Sequence, residues 1–383
     1  MNKAKPQINH EILEWARENL NASPEVLARR VGTTEEKYLS WEKGETLPTY
    51  KQLGKIAHQL QLPITAFYLR RTPEVENARL EMRRLPGYNA EEDTFQFSKQ
   101  VNECLRRRKF VEELIERMNL DFPSFNFRAS INESPEIVAQ NFREYLEITI
   151  ENQLVHKDRF QALKFWRQLL EKNGLLVFQL ERININEARG FALYKEFLPI
   201  VTINSNDSVG GRIFTLFHEV GHILLGESII DNNLDYDSSI ETENWCNKFS
   251  AHFLVPKVDL IAICREIGNI DSAEKIDYLS KRYWVSGSAL LRRLKEHNLI
   301  SQGNFSEFIQ IYDSFRANSG TSGGNYYSNM VARMGSLLPD LAFDGYYSNT
   351  ISIRDLSTIL NMKITNLKEF EKRFKGSDYA FGK

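Results

Sequence analysis

Apolar residues recur at helical spacing through the first 72 residues. In NHEILEWARENL, Ile12, Leu13, Trp15 and Ala16 form a buried face, with Leu20 closing it. SPEVLARRVG carries its own start and stop. Ser23 is a good N-cap, Pro24 suits the first helical position, and Gly32 ends the helix. TEEKYLSWEKGE, TLPTYKQLGKIAHQLQL and PITAFYL extend the pattern after turns of a few residues. Short helices joined by tight turns predict a helix-turn-helix bundle over residues 1–72.

The period then changes. EVENARLEMRRLPGYN has none that is strong and ends in a Pro86-Gly87 turn signal. FSKQVNECLRRRKFVEELIERMNL predicts one helix with a stripe through Val101, Leu105, Val111, Leu114 and Ile115. Its basic run Arg106–Lys109 is expected to pair with Glu112, Glu113 and Glu116; contact with nucleic acid is the other reading. Residues 73–129 thus form a helical connector, with Asp121–Ser134 as a linker.

A third domain spans 130–300. SPEIVAQNFREYLEI opens it as a capped helix, and FQALKFWRQLLEKNG is an amphipathic helix closed by Asn173-Gly174. LLVFQLERI, GFALYKEF and LPIVTIN follow as strands, predicting a small antiparallel sheet beside the next helix. In 301–383, Asn318–Asn325 is a Gly/Ser-rich loop, GGNYYSNMVARMGSLLPDLAFDGYYSNT reads as helix, and two helices flank Asn361-Met362-Lys363. That last pair is again helix-turn-helix-like. Tyr326, Tyr327, Tyr346 and Tyr347 are expected in packing, with base stacking as the alternative. The fold class is α+β, mostly α.

A length of 383 residues suits two or three domains, and a hydrophobic content of 42% suffices for sizeable cores. A formal charge of -2 excludes a protein basic throughout, though not a local basic face. Three widely spaced cysteines, Cys104, Cys246 and Cys264, point to a reducing compartment. The polar N-terminus offers no signal peptide, and no apolar run approaches the ~20 residues of a membrane span. A soluble cytoplasmic protein without membrane partners is expected.

The chemistry concentrates in Phe214–Gly226, FTLFHEVGHILLG. His218 and His222 stand one helical turn apart with Glu219 between them. Two imidazoles so placed grip one metal ion, and the Glu serves as general base. A catalytic zinc needs a third protein ligand and one open position. The downstream ETENWCNKFSAHFLVP offers Glu241, Glu243, Cys246 and His252, and spacing does not choose among them. Tyr236, His252, Arg292 and Arg293 are candidate oxyanion donors. Trp245 and Phe249 are expected to pack their helix on the sheet, and the strand Pro199–Asn204 to present its backbone to an extended peptide. Cys104 is a candidate inhibitory ligand for the open position; the other reading is a small buried hydrophobe.

Two resemblances sharpen this. Leu27-Ala28, Trp41-Glu42-x-Gly44 followed by Pro48, Leu53 with Ile56-Ala57, and Pro63 with Phe67 resemble the Xre/Cro-type helix-turn-helix family over 9–69. That resemblance implies DNA contact from Thr34, Lys37, Ser40 and Lys43. Glu35 and Glu36 in the same helix are repelled by phosphates unless they read a cytosine amino group, so a protein-docking or dimerising role stays open. Pro199–Asn204, Phe214–His222, Glu243–Ser250 and Phe253–Pro256 resemble the ImmA/IrrE metallopeptidases. This likeness implies a zincin-like domain, Zn2+ as cofactor, and Glu243 as third ligand with His218 and His222. It also implies Glu219 as catalytic base and Asn247 supporting the site. The family's members cleave a partner repressor or antitoxin, typically a helix-turn-helix protein, on a signal such as damaged or single-stranded DNA or phage infection. The alternative expectation is a DNA-binding regulator or antitoxin whose peptidase-like domain senses rather than cuts. Expected partners are a protein substrate, DNA and a second copy of the chain.

Overall fold

The computed structural model describes residues 6–72, 91–226, 236–314 and 326–376. The connector stretch 73–90 and the loop 318–325 lie outside the described residues. The chain divides into two compact units, Met1–Leu105 and Arg106–Lys383.

Unit 1 holds α1 (His10–Asn19), α2 (Pro24–Val31), α3 (Glu35–Glu42), α4 (Tyr50–Gln59), a 3-10 turn at Ile64–Tyr68 and the start of α5 (Glu91–Met118). Local hydrogen bonds fix the helix starts. Ser23 accepts from the Val26 N–H, Thr34 from Lys37, and Thr49 with Gln52 forms a reciprocal capping box. Such caps contribute about 1 kcal/mol each. Leu27, Val31, Tyr38, Trp41 and Leu53 are buried, and the Tyr38 and Trp41 rings meet edge-on at 5.9 Å. Glu42 of the W-E-x-G string is buried too. It receives Arg17 of α1 through Nε at 2.8 Å and Nη2 at 3.2 Å, which ties α3 to α1. Phe95 of α5 closes this core, with the Arg30 guanidinium 5.2 Å over its ring.

Unit 2 contains the rest of α5, then α6 (Pro135–Tyr145), α7 (Ile150–Leu154), α8 (Arg159–Lys172), β1 (Leu176–Leu180), β2 (Gly190–Leu193), β3 (Ile200–Asn204), α9 (Val209–Leu224) and α10 (Tyr236–Leu254). After these come α11 (Lys257–Ile267), α12 (Ala273–Tyr283), α13 (Gly287–Glu296), α14 (Gln302–Ser314), α15 (Tyr326–Met334), α16 (Leu337–Tyr347), α17 (Ile353–Ile359) and α18 (Ile364–Gly376). Asp121–Ser134 is packed rather than a free linker. Phe125 is fully buried against Phe142, and the Ala129 N–H donates to the Leu224 carbonyl at the end of α9. Its Pro, Asn and Ser residues read as linker, but Phe125 and Phe127 between them bind it to α6.

The strand order is β1-β3-β2. β2 pairs with β3 antiparallel, as expected, whereas β1 pairs with β3 in parallel, from Leu176↔Ile200 to Leu180↔Asn204. The sheet is therefore mixed, not antiparallel throughout. The connection after β1 carries the chain past the middle position, and β3 returns into it. Asn204 pins that connection by donating from Nδ2 to the carbonyls of Ile183 and Ala188. Because β3 is paired on both edges, Pro199–Asn204 cannot take an added strand, which corrects the peptide-docking expectation. β2 is the strand on its outer side, and there Gly190 is part-exposed while Phe191, Ala192 and Leu193 are buried.

The C-terminal segment docks on β1. Arg167 of α8 donates from Nη2 to the carbonyls of Val177 (3.1 Å) and Ala332 (2.6 Å). Arg107 donates to the Arg333 carbonyl at 2.9 Å and lies 5.5 Å over the Phe178 ring. Glu171 is buried and accepts from Ser336, through both its N–H and its hydroxyl, and from the Leu337 N–H. The helix expected over this segment accordingly breaks at Gly335 (φ +78), where a β-carbon would collide with the Glu171 carboxylate. The acids expected to pair with Arg106–Lys109 have other partners as well: Glu112 meets Lys195, and Glu113 meets Arg117.

Candidate metal centre

Two helices build the site. α9 begins at Ser208, whose hydroxyl accepts from the Gly211 N–H at 3.1 Å. Its next turns place Thr215, Glu219 and His222 toward the interior. α10 lies directly against it because position 221 is glycine. A β-carbon there would sit 3.0 Å from the Cys246 sulfur. This approach brings Glu243 to the two histidines.

His218, His222 and Glu243 offer ligand atoms that all lie within 4.8 Å of one another. The two Nε2 atoms are 3.3 Å apart. The Glu243 carboxylate spans them, with Oε1 3.0 Å from His222 Nε2 and Oε2 3.3 Å from His218 Nε2. Two ligands bound at about 2.05 Å in tetrahedral geometry stand about 3.3 Å apart. Two imidazoles and a carboxylate at that spacing fit a tetrahedral cation with one position left for water. His218 is also held from behind, its Nδ1 lying 3.2 Å from Asn247 Oδ1. A proton on Nδ1 donated to Asn247 leaves the Nε2 lone pair for the metal.

Glu219 is buried next to these ligands. Gly190, the first residue of β2, abuts it: a β-carbon at 190 would lie 3.2 Å from Glu219 Cγ, 2.8 Å from Thr215 Cγ2 and 2.4 Å from the Thr202 carbonyl oxygen. Only glycine lets this strand end reach the Glu219 side chain. The sequence signal for Gly190 is a glycine opening a strand ahead of the H-E-x-x-H helix.

The remaining described ligand candidates stand outside this group. Glu241 is exposed. Cys246 is fully buried against Gly221. His252 faces Glu296 at 3.2 Å, while Arg293 donates to Glu296 and to the Val255 carbonyl. Burial, with Arg293 nearby, pushes His252 down to about 4. Trp245 and Phe249 stack on each other, but they face α6 rather than the sheet: Trp245 donates to the Glu133 carbonyl and Phe249 meets Phe142 at 5.8 Å. The Tyr236, Tyr326 and Tyr327 side chains lie outside the described residues. Cys104 is buried and is not among the three gathered donors. In the helix-turn-helix, Thr34, Lys37 and Lys43 are exposed; Ser40 is half-buried and bonded to the Lys37 carbonyl and to Thr46.

Residues 171–295 match the family model described as the IrrE N-terminal-like domain, and residues 13–67 match a helix-turn-helix model. No curated protein and no solved structure matches the chain. The chain thus carries an Xre-like helix-turn-helix domain and an IrrE-like metallopeptidase domain, the ImmA/IrrE architecture that its motifs resemble. Those two domains are the parts of a regulator of this type. The first suggests DNA binding, and the second a metal and a protein substrate. Among the described residues, no helix is long and apolar enough to cross a membrane.

Proposed function

We propose that this chain is a zinc-dependent endopeptidase that cleaves a partner helix-turn-helix repressor or antitoxin when a signal arrives, such as DNA damage, single-stranded DNA or phage infection. The convergence of His218, His222 and Glu243 beside a buried Glu219 carries this reading. When bound, zinc polarises the scissile carbonyl and acidifies the attacking water. His218, His222 and Glu243 hold it, and Asn247 fixes the His218 tautomer. The Glu219 carboxylate takes a proton from the water and delivers it to the leaving amine. Gly190 leaves room for this carboxylate beside the end of β2. Thr34, Lys37, Ser40 and Lys43 are the DNA contacts in the same proposal.

A general base matters only to an enzyme that cuts, which favours cleavage over pure sensing. Glu219→Gln keeps the ligand set and removes the base. Co-expressed with the product of the neighbouring gene, wild type yields fragments by mass spectrometry and the variant none. Equal fragmentation by both overturns the proposal.

A further inference from the structure

The C-terminal helices repeat the geometry of the first helix-turn-helix. α2 starts after Ser23, and α17 after Ser352. Each serine side chain accepts from the N–H three residues on. Leu27, Val31, Tyr38 and Trp41 are buried in the first, and Leu356, Leu360, Leu367 and Phe370 in the second, at identical spacing. Between the helices, Gly32 has φ +81 and Asn361 has φ 49, both left-handed, at the same position of the turn. The following N–H groups bond back alike, Thr33 to the Ala28 carbonyl and Met362 to that of Ser357, each at 2.9 Å. α16 stands before α17 as α1 stands before α2, and its Phe343 packs on Phe370 of α18 at 6.2 Å. The helix-turn-helix family match does not reach this segment.

The charges differ between the copies. Ser23–Thr46 contains four basic and five acidic residues, whereas the matching Ser352–Lys375 contains six basic and three acidic. Glu25, near the start of α2, is replaced by Arg354 in α17. Glu35 and Glu36, opening α3, are replaced by Ile364 and Thr365 in α18. Arg354, Lys363, Ile364, Thr365, Lys368 and Lys372 are all exposed. Thr365, Lys368 and Lys372 share one face of α18. A docked helix-turn-helix sets its first helix across the phosphates and the N-terminal residues of its second into the major groove. Carboxylates at the mouth of α3 oppose that docking. α18 presents no acid in its first turn, and lysines stand along its outer face.

We propose that α17 and α18 form a second helix-turn-helix that binds duplex DNA, with Arg354, Lys363, Lys368 and Lys372 on phosphates and the first turn of α18 toward the major groove. The complementarity is that of a basic helix face to a polyanion. It does not depend on the peptidase reading.

The test uses the full chain and a fluorescein-labelled duplex of random sequence, about three helical turns long. Lys37→Ala/Lys43→Ala serves as the background, so that the first module contributes least. In that background, adding Lys363→Ala/Lys368→Ala/Lys372→Ala weakens anisotropy-measured binding about tenfold or more and flattens the log affinity–log salt slope by about 2–3. Lys368→Glu alone, at an exposed position that does not disturb folding, weakens binding in the same direction. Unchanged affinity and slope in the triple variant overturn the proposal, as does loss of all duplex binding in the background alone. A surface for protein docking gives the first of those results.

Discussion

Oδ1 of Asn247 lies 3.2 Å from Nδ1 of His218, while Nε2 of the same ring points to the Glu243 carboxylate. One amide on α10 therefore orients a candidate ligand on α9, one turn after the candidate ligand that α10 itself offers. Asn247→Ala frees the ring to rotate and to change tautomer. Such partners are worth 10- to 100-fold in metal affinity. With zinc bound as proposed, the variant is expected to release it to a competing chelator about that much more readily, with its melting temperature in the metal-free form unchanged.

Gly190→Ala probes the approach of β2 to Glu219. The new methyl meets the Thr202 carbonyl oxygen at 2.4 Å, so the strand must shift away from β3. Overpacking of this kind costs typically 1–3 kcal/mol. Gly303→Ala in α14 is the control, because nothing lies within 4 Å of its β-carbon. There the expected result is neutral to stabilising by up to ~1 kcal/mol, the helix preference for alanine. Urea denaturation of the two variants measures the contrast.

Glu171 makes stability depend on pH. Burial pushes its carboxyl up to about 7, against Arg167 and the donors from Ser336 and Leu337. The folded chain therefore holds this proton above pH 4.5, where the unfolded chain has given it up. The contribution is full below pH 4.5 and is lost as pH rises through 7. It amounts to something on the order of 3 kcal/mol. Denaturation midpoints at about pH 5 and about pH 8 should differ in wild type, and the difference should shrink in Glu171→Gln.

Much of this site is legible without coordinates. The cap at Ser23 follows from local chemistry, and the helical spacing of His218 and His222 from a motif. What the sequence hides is tertiary. β3 enters the middle of the sheet because of where a loop runs, which no residue of β3 declares. Arg107 sits in a basic run that reads as solvated, yet it donates to a backbone carbonyl more than two hundred positions away. Phe125 reads as linker because its neighbours are Pro, Ser and Asn. In each case the residue types permit several environments, and only long-range packing selects one.

The Arg17–Glu42 pair offers a separate test in unit 1. Arg17→Met leaves the buried Glu42 carboxylate without its fork and should destabilise the module by about 3–5 kcal/mol. Arg17→Met/Glu42→Leu, which removes both charges, should recover most of that. Thermal melting of the two variants settles which is the weaker.

The hold of Glu171 on Ser336 and Leu337 also sets where the IrrE-like domain can be cut. The family match ends at residue 295, but its first residue is Glu171, whose carboxylate is committed to backbone groups some forty positions past that end. A fragment trimmed to the match would lack Arg107 and Arg167 as well as Ser336 and Leu337, so the Glu171 carboxylate would lose its backbone donors and β1 the segment that packs on it. The folded body around the IrrE-like domain thus extends past the matched residues. A segment exchanged for the one that starts at Ser336 has to bring its own helix start to receive Glu171.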